Sequence, residues 1–201
     1  MYDTIPSDEI IQKTANALKA NGIETFVVEN SQQAKQKFFE IIPEGAEVMN
    51  NQSMTLATID VTDELLNSGK YNPVRQKLMD PNVLPKEKVI LGAASDWSIG
   101  SVHAITEDGK LMIASGTGSQ LGSEAYSSPH VLFVAGAQKI VTDLNEGFKR
   151  IYEHSLPMES ERLNKAYNIT TGSDVRKMLI INKESKPNRI KMILIKEVLG
   201  F

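Results

Sequence analysis

The sequence predicts an α/β fold: a mostly parallel open sheet flanked by helices, with a β-hairpin insertion. Three observations point there. Helix-like and strand-like segments alternate through the first third, the pattern of parallel strands joined by covering helices. Glu107-Asp108-Gly109 lies between two extended segments and reads as a hairpin turn. Residues 130–135 form an almost unbroken apolar run, the mark of a strand buried on both faces.

The elements follow in order. Ser7 is placed to cap a helix with Asp8 and Glu9 in its first turn. Ile10, Ile11, Thr14, Ala17 and Leu18 then recur at helical spacing. Asn21-Gly22 supplies the stop, and 23–28, rich in β-branched and aromatic residues, follows as a strand. Ser31 opens a second helix with Ala34, Phe38, Ile41 and Ile42 as its apolar stripe. Pro43-Glu44-Gly45 turns the chain into a short strand at 47–49.

One further helix is expected from near Ser53 through Leu56, Ile59, Leu65 and Leu66 to Ser68-Gly69. Pro73, Pro81 and Pro85 mark 71–85 as surface structure with some helix, and periodicity leaves 86–94 open between helix and strand. Residues 97–106 and 110–114 form the arms of the hairpin, and 115–122 a flexible polar loop. Residues 143–154 make an amphipathic helix with Leu144, Phe148 and Ile151 on one face, broken by Pro157. Residues 178–181 and 190–195 are the last strands, and the whole of 1–201 reads as one domain.

Composition narrows the function. A net charge of -3 offers no basic surplus for phosphates, so nucleic acid is not the expected partner. With no cysteine, thiolate zinc sites, cysteine-held iron–sulfur clusters and a cysteine nucleophile are excluded. The N-terminus shows no signal peptide and no apolar run approaches the length of a membrane helix, so a cytoplasmic protein without membrane insertion is expected. Asn51-Gln52-Ser53 and Asn168-Ile169-Thr170 then match the glycosylation pattern by chance.

Three stretches together resemble the LUD (lactate utilisation) family, which includes lactate-utilisation protein C. They are Asn50-Asn51-Gln52-Ser53-Met54-Thr55-Leu56; the run 100–111 with Ala104-Ile105-Thr106-Glu107-Asp108-Gly109, followed by Gly116-Thr117-Gly118; and 136–144 with Lys139-Ile140-Val141-Thr142-Asp143-Leu144. The resemblance runs from about residue 7 to the final Leu199-Gly200-Phe201. It implies a fold like that of the glucosamine-phosphate isomerase, ribose-phosphate isomerase and CoA-transferase group (NagB/RpiA/CoA transferase-like). It also implies a part in oxidising L-lactate to pyruvate, alongside partner proteins that carry the iron–sulfur clusters, with none bound by this chain. Many relatives have cysteines in the region matching Thr171-Gly172-Ser173-Asp174-Val175-Arg176; this chain has none there, so no role resting on them carries over.

Each candidate residue has a bland reading beside the functional one. Ser53 is at least a helix cap; with Asn51, Met54 and Thr55 at a strand end it equally suits an anion loop. Gly116, Thr117 and Gly118 form no dinucleotide fingerprint, since Leu121 stands where its third glycine would be. On residues alone they are a positive-φ turn; the resemblance makes them a ligand loop. Glu107 corresponds to a nucleophile by analogy with CoA-transferases, but a turn glutamate is the stronger reading. His103 is a weak acid–base candidate, and His130 and His154 stand at no metal-ligand spacing, so no metal site is expected. Trp97 reads as core or interface, and Lys183, Lys186, Arg189 and Lys191 as a solvated basic face.

Two functions from different classes compete. One is a metabolic protein binding a small anionic metabolite at the Ser53 and Gly116 loops. The other is a non-catalytic assembly subunit docking on an iron–sulfur partner, favoured by the lack of a complete catalytic constellation. A CoA-transferase or sugar-phosphate-isomerase-like enzyme is a third reading by analogy. Whether the chain forms a homo-oligomer stays open.

Overall fold

The computed structural model describes residues 2–168 and 170–201; Met1 and Ile169, the centre of the second glycosylation-type triplet, lie outside the described residues. In chain order the elements are α1 (Asp8–Ala20), β1 (Glu24–Val28), α2 (Ser31–Ile41), β2 (Glu47–Asn50), α3 (Met54–Thr58), α4 (Thr62–Asn67), β3 (Asn72–Pro73), α5 (Val74–Met79), α6 (Pro85–Ala93), β4 (Trp97–Gly100), β5 (Ala104–Thr106), β6 (Leu111–Ser115), β7 (His130–Gly136), β8 (Ile140–Val141), α7 (Leu144–Arg150), α8 (Leu156–Tyr167), β9 (Lys177–Ile181) and β10 (Ile190–Ile195). Two π-helical turns, Ser123–Ser127 and Ile151–Ser155, and a 3-10 turn, Ala137–Lys139, complete the chain.

Six strands form a parallel sheet in the order β1-β10-β7-β4-β2-β3. β7 and β10 lie inside it, and Val131 to Ala135 and Met192 to Ile195 are inaccessible to solvent. That double burial is why their sequence lacks polar alternation. One face packs against Phe38, Leu56 and Leu65, the other against Ile11 and Leu18. Each such side chain contributes about 1.5–3 kcal/mol on burial. No helix among the described residues is long and apolar enough to cross a membrane.

The hairpin turns at Glu107-Asp108-Gly109 as expected, but its strands β5 and β6 are the centre of a second sheet, β8-β5-β6-β9. Its turn seats on the C-terminus of α1, where the Asn21 side-chain amide donates to the Asp108 and Gly109 carbonyls. Gly109 has φ +83, and a β-carbon there would lie 2.6 Å from the Ala17 carbonyl carbon. Gly109→Ala is therefore expected to destabilise the protein by about 1–3 kcal/mol, through backbone strain and overpacking together. Equilibrium urea unfolding checks this; an unshifted midpoint would show that the turn is free to move off α1.

Four local expectations are corrected. The single helix over 53–68 is two, because Asp60 takes φ +55 between α3 and α4 and reverses the backbone. The extended stretch 97–106 breaks after Gly100, separating β4 from β5. Pro157 does not end the helix: 144–167 is helical throughout, and Pro157 lies in the first turn of α8 directly after the π turn Ile151–Ser155. The widened turn gives the ring room where an α-helix would press a carbonyl against it. Arg189 is not on a solvated face; it is 3% exposed.

Candidate functional site

The carboxyl ends of β2, β4 and β7 open into a cleft of about 670 Å³. Open parallel sheets place their ligand crevices at this edge. Asn51, Ser53 and Thr55 from the β2–α3 turn line it, and Gly116 and Thr117 from the loop after β6 also line it. Ser53 caps α3, its Oγ accepting from the Leu56 N–H at 3.4 Å. The short β2 leads directly into this cap, so strand, turn and helix are built from twelve consecutive residues, Glu47–Thr58.

Lys139 reaches the cleft from the 3-10 turn after β7, yet it is only 2% exposed. Its Nζ donates to Thr55 Oγ1 at 3.2 Å, Ser101 Oγ at 3.1 Å and the Val102 carbonyl at 3.1 Å. All three ammonium hydrogens are thus engaged. Burial, helped by the Arg150 charge, pulls its pKa down to about 7. Thr55 Oγ1 in turn donates to the Leu199 carbonyl at 3.2 Å.

Glu124 also lines the cleft and is 1% exposed. It stands on the π turn Ser123–Ser127. Its Oε1 accepts from Asn51 Nδ2 at 3.1 Å, while Oε2 is buried without a hydrogen-bond partner. Burial raises its pKa to about 8, against a smaller lowering by Asn51. Beneath it, Ser98 Oγ and Ser123 Oγ are 3.0 Å apart. Arg189 holds the turn from below, donating to the carbonyls of Ser123, Glu124 and Ser128 and pairing with Glu184.

His103 is half-buried in the wall, and its Nδ1 accepts from the Ala114 N–H at 3.1 Å. The proton of the neutral ring therefore sits on Nε2. Burial, then the Lys139 and Arg150 charges, push its pKa down to about 3. Arg150 anchors this strand end by donating to the His103 carbonyl at 2.5 Å. Arg75 donates to the Asn50 carbonyl at 3.3 Å from the β2 side.

Of the residues singled out in the sequence, Asn51, Ser53, Met54, Thr55, Gly116, Thr117 and His103 come together around one cleft. Two stand apart. Glu107 is at the hairpin turn, paired with Lys13 at 2.7 Å. Gly118, with φ +82, packs against the Lys177 side chain outside the lining. Lys139 and Glu124 were not legible as site residues. Among the described residues, no group of three or more His, Asp or Glu is placed to hold a metal ion.

Compared with known families, the chain matches the LUD domain over residues 11–198. Among solved structures it is similar to a DUF162 family protein from Deinococcus radiodurans, with 10% identity, a TM-score of 0.59, and coverage of 94% of this chain and 99% of that one. Weaker likenesses are to eIF2B beta from Chaetomium thermophilum (14% identity, TM-score 0.40, covering 58% of this chain and 44% of that one) and ribose 5-phosphate isomerase from Plasmodium falciparum (18% identity, TM-score 0.35, covering 79% of each). No curated protein matches.

Proposed function

Since the chain belongs to the LUD domain family, which is associated with lactate utilisation, we propose that it binds a small organic-acid anion in this cleft and serves the oxidation of L-lactate to pyruvate. The observation that carries the reading is Lys139, a cation at the cleft wall buried among hydroxyls. Its three hydrogens are spent on Thr55, Ser101 and Val102. It acts on a ligand through its field and by orienting the two hydroxyls, in a medium less screening than water. The backbone turn at Asn51–Thr55 and the Gly116–Thr117 loop supply part of the enclosure, together with the start of α8 and residues 173–175.

The cleft suits a ligand with one negative charge. Lys139 gives a positive charge below about pH 7, Arg75 stands at the β2 side, the lining carboxylates Glu159 and Asp174 are paired with Arg162 and Arg176, and Glu124, neutral when protonated, adds no repulsion. Electrons taken from lactate pass, in this reading, to an iron–sulfur partner protein in the cytoplasm, because this chain has no cysteine to ligate a cluster.

A ligand that binds only the folded state raises the unfolding midpoint, so thermal shift with pyruvate and L-lactate tests the reading. Lys139→Met keeps the length of the side chain and removes its charge. It is expected to weaken binding by about tenfold or more, the loss of roughly 1–3 kcal/mol for a charge-assisted interaction. A folded Lys139→Met variant binding as tightly as wild type would remove the basis for the site.

A further inference from the structure

The carboxyl of Glu124 is half satisfied. Oε1 takes the Asn51 amide hydrogen, so it is the acceptor oxygen of the group. Oε2 has no partner among the described residues and is shut off from bulk water. A buried carboxyl in this state holds its proton on the free oxygen, leaving an O–H donor with nothing to donate to.

The position is built. Gly100, the last residue of β4, leaves room for the carboxyl: a β-carbon there would stand 3.1 Å from Oε1. The π turn that aims Glu124 is clamped through three carbonyls by a buried arginine. Such turns recur at functional sites because the extra residue redirects one side chain.

We propose that Glu124 Oε2 donates a hydrogen bond to a carbonyl oxygen of the cleft's ligand, making a small 2-oxo acid the class this site selects. The ligand's carboxylate lies towards Lys139, and its oxo group, an acceptor with no hydrogen of its own, answers the orphaned donor. This rests on the acid-binding reading above and adds the second recognition point.

Glu124 must be protonated to donate. Burial holds the proton to about pH 8, so the Glu124 contribution to binding is at full strength below that and declines above it. Arg189, tied to Glu184, holds the turn below the carboxyl, and the cleft that Glu124 lines also carries Arg75, Lys139, Arg162, Glu159, Asp174 and the neutral His103. The shift of Glu124 itself comes from burial, opposed by the Asn51 hydrogen bond. Helix α6 meets the π turn through the Ala93 carbonyl, which accepts from Ser127 Oγ. Lys139 discharges in a neighbouring range, so the Glu124 contribution must be read by difference.

The test is calorimetric binding of pyruvate from pH 6 to 9.5 to wild type, Glu124→Gln and Glu124→Leu, with circular dichroism to confirm folding. Glutamine still donates but does not titrate. Its affinity relative to wild type is expected to rise by about tenfold between pH 7 and 9, one decade per pH unit above the transition. Glu124→Leu is expected to bind at least about tenfold more weakly than wild type at pH 7. Infrared difference spectra should show a protonated carboxyl at pH 7 that Glu124→Gln lacks. An ionised Glu124 at pH 7, or pyruvate affinity shared unchanged by wild type and both variants, overturns the proposal alone. Failure of all three proteins to bind pyruvate overturns it together with the acid-binding reading.

Discussion

Arg189→Leu is expected to lower the unfolding free energy by about 3–5 kcal/mol, the scale for removing one partner of a buried ion pair. The guanidinium donates from Nη2 to the carbonyls of Ser123 and Glu124, both at 3.0 Å, from Nε to that of Ser128 at 3.0 Å, and from Nη1 to Glu184 at 2.6 Å. Leucine leaves three carbonyls and a largely buried carboxylate without these bonds. At about 2–4 °C per kcal/mol for a chain of this size, the thermal midpoint falls by roughly 6–20 °C. Lysine restores the charge without the planar fork, so Arg189→Lys is expected to recover less than half of the loss. Because the same residue holds the turn under Glu124, pyruvate affinity should fall in step. A midpoint within about 2 °C of wild type would show that the π turn holds its shape unaided.

The second large effect is on pH. Burial lifts the Glu124 pKa from 4.5 to about 8. The unfolded chain gives up that proton above about pH 4.5, while the folded chain keeps it to about pH 8, so the folded state binds more protons through that window. Wild-type stability therefore falls as pH climbs from about 4.5 to 8 on account of this residue. Glu124→Gln has no such proton, and its advantage should grow across the same window, reaching the order of a few kcal/mol, and level off above it. Lys139 works in the opposite sense. Its folded pKa near 7 lies below the ordinary 10.5, so its unfolded form binds the extra proton and stability rises between those values. Together the two groups put a trough of stability between about pH 7 and 8. Urea midpoints for wild type and Glu124→Gln from pH 4.5 to 10.5 test this; parallel curves would show that Glu124 titrates alike in both states.

The contrast between these residues explains what could be read beforehand. Ser7, the Asn21-Gly22 stop and the run 130–135 announce themselves within a few residues, because caps, turns and doubly buried strands are local in cause. The Ser53 turn was legible for the same reason. Lys139 was visible only as part of a family stretch; the available signal was a lysine three residues beyond the end of a strand apolar from Val131 onward, at the sheet edge where ligands collect. Glu124 offered no signal. A π turn has no apolar period, and what buries this glutamate includes Gly100 before it and Arg189, 65 positions after it. Arg189 itself read as one cation in a basic run, since a sequence does not say which member of a charged cluster turns inward. Pro157 misled because the rule against proline in a helix assumes α geometry throughout.

The position of β10 has a consequence for how the protein is made. The last strand in the chain lies between the first, β1, and β7. As the nascent chain leaves the ribosome, β1 and β7 emerge with their facing edges bare, and no earlier segment fills the gap between them. The two sides of the sheet must wait, apolar and unsealed, until residues 190–195 are released. Vectorial synthesis thus leaves the facing edges of β1 and β7 exposed until β10 arrives, and in that interval they can pair with other chains. Capture by a chaperone should peak just before that strand clears the exit tunnel and fall away once it has.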